Sequence, residues 1–505
     1  MAMKKISIKS LRKTVILTAA FFGLTVFASQ CFAQSSLNSD DSARKDRQYI
    51  EIINSLYYYI QQNYVDEVDA QKLYEGALRG MLESLNDPYS VYMDESSWRS
   101  ITDTTTGSFG GVGLSITKPT ENKPDKPAYV EVAQPIDNSP GAKAGIQAGD
   151  LITEIDGVDT STITMDEVLS KLRGTVGTSV EVTIKRGKNL TFKRTLIRAV
   201  IENPTVKYGV IGKIGYIRLS EFSSTTADRM QEALDSFKDS KVSGIIVDLR
   251  NNGGGLLTAA VDIADKFIDN GIIVSTKSRL AMENAVYTAS RHETTVAKGT
   301  PVIVLINGAS ASASEILAGA LKDAKVAYLV GEKSYGKGSV QIPTPLINKD
   351  GFKITVARYY SPSDVNIDKV GIPPDREVAY PEFTEEEAKL YASLLDSGKI
   401  EQYVEKHPGM TEDDIYSYAE ILRRTYNLAP RILRKLIRNE CDRAKPSRLY
   451  DLDYDLQLKE ALNIIEHENF SALISKTKTL KQIETERKAK EEKDAKKASS
   501  APAKK

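Results

Sequence analysis

A lysine in a glycine-rich loop and three serines at a strand-to-helix turn are the residues best placed to do chemistry. The lysine is Lys337, in the stretch GEKSYGKGSVQ at residues 331–341. The serines are Ser310, Ser312 and Ser314, in GASASASEILAGALKD directly after the apolar run PVIVLIN. A serine becomes a nucleophile when a base takes its proton, and a lysine can be that base when burial keeps it neutral. The two stretches together indicate a serine nucleophile with a lysine base.

The glycine-rich stretch also has the spacing of a phosphate-binding loop, in which four residues separate Gly331 from Gly336 and Lys337 follows directly. Such a loop needs Ser or Thr directly after the lysine as a magnesium ligand, and this chain has Gly338. The following text, SVQIPTPL, suits a strand better than a helix that opens on a phosphate. We therefore set nucleotide binding aside.

Ser312 also has a purely structural explanation. The run from Ser312 to Glu315 has the pattern of a capping box, which is expected at a helix start without any chemistry. The three histidines of the chain are dispersed, so no Ser-His-Asp arrangement is evident. Lys337 lies between glycines just after an apolar strand, where burial is expected, although a solvated loop lysine is the usual state. The pairing with Lys337 favours Ser312 as a nucleophile.

Two backbone segments could stabilise a transition-state oxyanion. One is the N–H of Ala313 at the turn, and the other is the glycine run 253–255 in LRNNGGGLL. Both segments follow strands that are predicted to be parallel, so both should lie at the carboxyl edge of one sheet. The alternative for the glycines is a plain flexible turn.

The elements that position these residues are predicted from alternating apolar segments. From residue 213 to 330, strands and helices alternate, which predicts a parallel sheet with crossover helices, and KITVARYY at 353–360 is a possible further strand. Residues 109–198 carry short strands and glycine turns, which is typical of a compact β-rich module. Helical patterns cover residues 47–85 and recur after residue 381.

The composition limits the classes of function. Lys and Arg number 68, as do Asp and Glu, so the net charge gives no reason to expect nucleic acid binding. Two cysteines exclude a disulfide framework. A basic start followed by the apolar run VILTAAFFGLTVFASQCFA predicts a secretory signal, cleaved after Ala28 or Ala33, or retained as a membrane anchor. Export is the expected consequence.

Several motifs resemble the carboxyl-terminal processing peptidases, also called tail-specific proteases. SASASEILAGALKD and GEKSYGKGSVQ carry the resemblance, and DPYSVYM, IVDLRNNGGG and VARYYSPS occur in the family's order over residues 50–380. The resemblance implies a Ser-Lys dyad on a crotonase-like fold, with Ser312 as nucleophile, Lys337 as general base and Gln341 orienting the lysine. It also implies an oxyanion hole from Ala313 and Gly254. The family often has proline where this chain has glycine 253, which leaves the choice between glycines 254 and 255 open.

The module at 109–198 resembles a PDZ domain, on the strength of FGGVGLSI and AGIQAGDLITEIDG. The resemblance implies that a loop holds the carboxylate of a chain terminus through its N–H groups, while an apolar pocket takes the last side chain. The implied loop residues are Gly111, Val112, Gly113 and Leu114, the pocket residues are Val168 and Leu172, and the suspected gating residue is Arg173. A simple β-bulge is the alternative for the loop.

The predicted fold class is α/β, with a crotonase-like protease core, an inserted PDZ domain and helical N- and C-terminal regions. The predicted division is a signal peptide at 1–33, a helical region at 40–105, a PDZ domain at 106–198, a protease core at 199–380, a helical region at 381–475 and a charged disordered tail at 476–505.

The predicted function is an exported serine endopeptidase of the bacterial periplasm or cell envelope. It would recognise protein C-termini and cut by an acyl-enzyme mechanism, without a cofactor or a metal. A catalytically silent PDZ scaffold is the alternative. The expected partners are protein or peptide substrates with free C-termini, a second copy of the chain in a homodimer, and an adaptor protein.

Overall fold

The structure is a computed structural model of the full chain. It describes residues 40–119, 121–122, 127–136, 138–202, 204–443, 445 and 448–500. The signal-peptide or anchor prediction for residues 1–33 and the end of the predicted tail, 501–505, lie outside the described residues. Every helix in the described part is too short or too polar to cross a bilayer. The chain forms two compact units, and the first ends at Asn86.

The first unit contains two helices, α1 (Asp40–Asn63) and α2 (Ala70–Glu83). Helix α2 begins where the Asp69 carboxylate accepts the N–H groups of Gln71 and Lys72, which caps its first turn. Helix α1 leaves a run of large apolar side chains exposed. They are Tyr49, Ile50, Ile52, Ile53, Leu56, Tyr58 and Tyr59.

The second unit opens with strand β1 (Val91–Met93) and helix α3 (Glu95–Thr106), and continues into the PDZ domain. The domain's elements are β2 (Ser108–Gly111), β3 (Leu114–Thr117), β4 (Val130–Pro135), α4 (Pro140–Lys143), β5 (Leu151–Ile155), β6 (Val158–Asp159), α5 (Met165–Leu172), β7 (Ser179–Arg186), β8 (Leu190–Ile197) and β9 (Ala199–Glu202). One sheet has the order β3-β4-β5-β7-β8, with β6 on β5, while β2 pairs with β9. Strand β3 is therefore an edge strand, and its outer side is open to an added strand.

The predicted parallel sheet with crossover helices is present. Its elements are β10 (Val206–Ile211), β11 (Ile214–Leu219), α6 (Thr226–Asp239), β12 (Gly244–Asp248), α7 (Leu257–Asp265), β15 (Val302–Ile306), α8 (Ala313–Asp323), β16 (Tyr328–Gly331) and β19 (Arg376–Glu377). The sheet order is β10-β11-β12-β15-β16-β19, and all pairs except β10 with β11 are parallel. Every residue of β12 and β15 is buried, which explains why both sequences are apolar apart from Asp248 at the end of β12.

A second sheet stands beside the first, with the order β1-β18-β13-β14 and with β17 paired to β18. Its remaining strands are β13 (Ile272–Lys277), β14 (Ala285–Thr288), β17 (Ser339–Pro345) and β18 (Gly351–Tyr360). The segment KITVARYY therefore forms a strand as predicted, in this second sheet. It brings Tyr359 under the lysine loop, where the Tyr359 hydroxyl donates to the carbonyl of Lys337.

The C-terminal part is helical, as the sequence predicts. Its helices are α9 (Glu385–Asp396), α10 (Lys399–Lys406), α11 (Glu412–Tyr426), α12 (Pro430–Cys441), α13 (Leu456–His467) and α14 (Phe470–Lys476). Helices α9 to α12 enclose their own apolar cluster, centred on Leu394, Ile415, Leu422 and Leu433. Helix α13 packs on the parallel sheet through Leu458, Ala461 and Ile464.

The prediction of a disordered tail from residue 476 is wrong for the described residues. A helix, α15, covers Leu480–Ser500. Its first residue is buried against the core, and the Leu480 N–H donates to Asp323 Oδ1 at 2.7 Å. Ion pairs one turn apart along the helix, such as Arg487 with Glu491 at 3.2 Å, support a segment that has almost no apolar residues.

Candidate active site

The turn between β15 and α8 holds Ser312 in a strained conformation. Its φ is 56°, in the left-handed region that non-glycine residues rarely adopt. Ser310 Oγ donates to the carbonyl of Leu249 at 2.8 Å, and Ser314 Oγ donates to the carbonyl of Asn252 at 2.9 Å, with both serines fully buried. Ser312 instead lines an open cleft of about 740 Å³. Of the three serines, Ser312 is the one that a substrate can reach.

The capping box at the start of α8 is present, and its glutamate does more than cap the helix. Glu315 Oε2 accepts the backbone N–H groups of Ser312 and Lys337, both at 2.9 Å. Glu315 Oε1 accepts the Ser334 hydroxyl at 2.6 Å and the Gly336 N–H at 2.7 Å. Only 2% of Glu315 is exposed, and burial raises the pKa of its carboxyl while these four bonds oppose the rise. One carboxylate thus joins the serine turn to the lysine loop.

A buried tyrosine connects the same two segments from the other side. The Tyr359 hydroxyl donates to the carbonyl of Lys337 and lies 3.3 Å from the carbonyl of Ser312. Burial raises the pKa of Tyr359 well above its usual value, so the hydroxyl stays a donor. The backbone positions of Ser312 and Lys337 are therefore fixed by Glu315 and by Tyr359.

The Lys337 side chain reaches the same cleft as Ser312. Burial lowers the pKa of Lys337, and the charge of Lys353 lowers it further, while Asp87 and Glu315 oppose the shift. Lys337 Nζ lies 4.9 Å from the centroid of the Tyr89 ring. Within the part of the chain that the structure describes, Nζ makes no hydrogen bond to Ser312 Oγ. The cleft therefore lowers the pKa of Lys337, whose amine lies against an aromatic ring.

Gln341 lines the cleft beside Lys337. Its Nε2 donates to Ser339 Oγ at 2.9 Å and to Thr355 Oγ1 at 3.1 Å, so the amide is fixed between β17 and β18. Among the described residues, the Gln341 amide makes no hydrogen bond to Lys337. Its predicted role as the group that orients the lysine remains a prediction.

The glycine loop after β12 lies directly against the serine turn. Gly254 has a φ of 108°, and a Cβ on it would lie 2.8 Å from Ser312 Cβ, so a side chain at this position would collide with the turn. The Gly254 N–H donates to Asn252 Oδ1 at 2.9 Å. Gly255 is exposed at the cleft. The structure thus places Gly254 and Ala313 beside Ser312. The Gly254 N–H is bonded to the Asn252 side chain, and the next residue, Gly255, also lines the cleft.

Asn252 is a residue that the sequence analysis did not single out. Its carbonyl accepts the Ala311 N–H at 3.0 Å, and its Nδ2 donates to the carbonyl of Leu219 at 2.9 Å. The side chain is fully buried. Asn252 therefore fastens the glycine loop to the serine turn and to β11, and no local pattern in the sequence predicts these distant partners.

The predicted PDZ loop runs into the edge strand β3, with Val112 buried and Gly113 at a φ of 69°. Val168 and Leu172, on α5, are buried in the domain's apolar cluster, and Leu114 packs against that cluster. The structure thus places Val112, Leu114, Val168 and Leu172 in or against one apolar cluster.

Arg173 ends α5 and connects the PDZ domain to α3. Its guanidinium forms an ion pair with Asp103 and lies 4.6 Å from the centroid of the Phe109 ring. Residues Thr104 and Thr105, next to Asp103 in α3, line the cleft of Ser312. A chain of contacts therefore runs from the predicted peptide pocket to the cleft.

The described residues contain no cluster of His, Cys, Asp or Glu side chains arranged to hold a metal ion.

Comparisons with known proteins give three family matches. Residues 213–378 match peptidase family S41, residues 131–186 match a PDZ domain, and residues 15–97 match the activating protease CtpB N-terminal domain. These matches, together with the two sheets and the helical ends, confirm the predicted fold class.

Relatives match over most of their length. A carboxy-terminal-processing protease of Bartonella bacilliformis is 37% identical over 409 residues, which cover 80% of this chain and 90% of the relative. The carboxy-terminal processing protease CtpA of Bacillus subtilis is 32% identical over 388 residues, 76% of this chain and 79% of the relative. A solved structure of a photosystem II D1 C-terminal processing protease is 30% identical, covers 65% of this chain and 92% of that chain, and has a TM-score of 0.37. Because that TM-score is low, the comparison rests on the sequence matches and not on this solved structure.

Proposed function

Because this chain belongs to the carboxyl-terminal-processing proteases, serine peptidases of family S41 that carry a PDZ domain, we propose that it cleaves exported proteins through a Ser312–Lys337 dyad. The observation that carries the proposal is the joint anchoring of the two residues on Glu315, at the wall of one cleft. A strained, reachable serine and a lysine whose pKa is lowered by burial are the two parts that an acyl-transfer site needs.

In the proposed reaction, neutral Lys337 Nζ takes the proton of Ser312 Oγ as the oxygen attacks the scissile carbonyl carbon. The resulting oxyanion would accept a hydrogen bond from the N–H of Ala313 and a second from the N–H of Gly254, which would first have to leave Asn252 Oδ1. The lysine ammonium then protonates the leaving amine, and the C–N bond breaks to give an acyl-enzyme. Water attacks this ester while Lys337 takes a proton from it. The tetrahedral intermediate then collapses, Lys337 gives the proton to Ser312 Oγ, and a carboxylic acid is released.

The first step requires Lys337 Nζ to leave the Tyr89 ring and approach Ser312 Oγ. A substrate that fills the cleft excludes water from Lys337. Loss of water disfavours the charged ammonium form of Lys337, which is the form that the Tyr89 ring attracts, and so favours this movement. Gln341 is proposed to hold the amine in its new position through its amide oxygen, since Nε2 is already engaged.

Substrate capture is proposed to occur at the edge of β3. The C-terminus of a protein would pair with this edge as an added strand, and its carboxylate would lie on the N–H groups of the loop from Gly111 to Leu114. Its last side chain would pack between Val168 and Leu172, which are buried in the domain's apolar cluster and would have to move apart to admit it. The Arg173–Asp103 ion pair is proposed to relay occupancy of this site to the cleft.

We further propose export to the periplasm or cell envelope, directed by the N-terminal signal, with retention of that segment as an anchor as the alternative. A homodimer is proposed through the helical regions, and the exposed apolar side chains of α1 support it. An adaptor protein that delivers substrates is compatible with the same surface.

The test compares Ser312→Ala and Lys337→Ala with the unmodified protein. We expect each variant to lose cleavage of an unfolded substrate, while binding of a C-terminal peptide to the PDZ domain is unchanged. Cleavage that persists in both variants would contradict the dyad. Peptide binding without cleavage in the unmodified protein would instead indicate the catalytically silent PDZ scaffold.

A further inference from the structure

The cleft around Ser312 has a charge distribution that the proposed reaction does not use. Its lining is mainly apolar and glycine-rich, and the charged side chains among its described lining residues are Glu221, Lys337 and Lys353. The two lysines are neighbours, because the charge of Lys353 lowers the pKa of Lys337. Glu221 lies on a different wall of the cleft from the two lysines, next to the glycine loop at residues 253–255.

Backbone pairing fixes where Glu221 lies. The next residue, Phe222, donates its N–H to the Gly254 carbonyl at 2.9 Å and accepts the Leu256 N–H at 2.7 Å. Phe222 is fully buried in the core. Successive side chains of an extended segment point to opposite sides, so Glu221 points away from that core and towards the cleft. The carboxylate therefore stands beside the loop that is proposed to hold the oxyanion.

Glu221 is half-buried, and within the described residues its carboxylate has no cationic partner. Burial raises the pKa of Glu221, and a hydrogen bond from the Thr104 side chain opposes the rise. The groups facing it from α3 are Ile101, Thr104 and Thr105, none of which is charged. A half-buried carboxylate without a cation is unfavourable, and a positively charged substrate group would relieve that cost.

We infer that Glu221 is a specificity-determining residue, which binds a lysine or arginine side chain of the substrate close to the scissile bond. The inference rests on the proposed function, because it needs the substrate chain to lie along Ser312. An ammonium or guanidinium group would donate to the Glu221 carboxylate at the glycine-loop wall, while Lys353 disfavours a second cation at the opposite wall. Cleavage would therefore favour a basic residue at one particular position relative to the cut.

The test uses internally quenched peptides that share one C-terminal anchor sequence. Mass spectrometry first locates the bond that is cut, and Lys, Gln or Glu is then placed in turn at each of the three positions on either side of it. We expect one position at which Lys is preferred over Glu by about tenfold in kcat/KM. Glu221→Gln should bring this ratio close to one, and Glu221→Lys should reverse it, whereas the exposed control Glu293→Gln should leave it unchanged.

The outcomes separate this inference from the proposed function. If the unmodified protein shows no charge preference at any position, or if Glu221→Gln keeps the full preference, the assignment of Glu221 is wrong while the dyad stands. If Ser312→Ala cuts the same peptides, the dyad is wrong, whatever the charge preference. A folded Glu221→Gln that still cuts Gln-containing peptides and loses the lysine preference would support the inference.

Discussion

Ser312 and Lys337 donate their backbone N–H groups to the same carboxylate oxygen, Glu315 Oε2, each at 2.9 Å. The spacing of the two residues is thus set by a buried acid and does not depend on a direct bond between their side chains. A lysine held in this way can move its amine between the Tyr89 ring and the serine while its backbone stays in place. Glu315 is therefore expected to be essential although it does not contact the substrate.

Replacing Glu315 with glutamine should disconnect the two segments. The glutamine amide nitrogen cannot accept a hydrogen bond, so two of the four N–H or O–H donors would lose their acceptor. We expect Glu315→Gln to lower the free energy of unfolding by about 3 kcal/mol and to lower kcat by about 100-fold. Urea denaturation and steady-state kinetics measure the two effects. Normal kcat in Glu315→Gln would show that the shared carboxylate does not position the dyad.

Removing the Tyr359 hydroxyl should affect catalysis more than substrate binding. Tyr359→Phe leaves the carbonyl of Lys337 without its donor but keeps the ring in place. We expect kcat to fall by about tenfold with little change in KM. The neighbouring variant Tyr360→Phe is the matched control, and it should behave like the unmodified protein. A rise in KM at constant kcat would assign Tyr359 to substrate binding instead.

Burial and, to a smaller extent, the charge of Lys353 lower the pKa of Lys337, so the Lys353 charge should shift the pH at which activity appears. Lys353 lowers the pKa of Lys337, so its removal in Lys353→Gln raises that pKa. A base must be neutral, and a higher pKa moves the rising limb of kcat/KM to higher pH. Lys353→Arg keeps the charge and should keep the limb, as should Lys349→Gln at the exposed Lys349. A limb that moves to lower pH in Lys353→Gln would contradict the assignment of Lys337 as the base.

The Arg173–Asp103 pair should couple peptide binding to cleavage. We expect Arg173→Gln and Asp103→Asn each to lower kcat/KM by about tenfold while peptide affinity for the PDZ domain stays within about twofold. The double variant should be no worse than either single variant, because both changes break the same contact. Fluorescence anisotropy and cleavage assays measure the two properties, with Arg194→Gln as a control. Additive losses would mean that the two residues act separately.

Much of this architecture follows from local patterns. The fully buried strands β12 and β15 are apolar apart from Asp248, and the serine turn directly follows β15. The parallel sheet and its carboxyl edge were therefore predictable. The capping pattern likewise predicted that Glu315 would reach back to Ser312. The bonds from Glu315 to Ser334, Gly336 and Lys337 were not predictable, because they join segments that only the tertiary fold brings together.

The tail and the glycine loop show two further limits of sequence reasoning. Residues 480–500 have the composition of a disordered segment, yet they form a helix. The buried Leu480 side chain anchors its start, and ion pairs lie along its surface. The engagement of the Gly254 N–H by Asn252 depends on a side-chain rotamer, which a glycine-rich pattern does not specify.

The most direct test of the account is to replace the Lys337 amine with an amine whose ammonium form has a lower pKa. Lys337→Cys, made in a protein whose other cysteines are changed to serine, should be inactive. Alkylation with bromoethylamine then creates a thia-lysine at that position, and its amine loses a proton at lower pH than lysine. We expect cleavage to return with the rising limb of kcat/KM at lower pH than in the unmodified protein. Cleavage by Lys337→Cys before alkylation, or an unshifted limb after it, would contradict Lys337 as the base that activates Ser312.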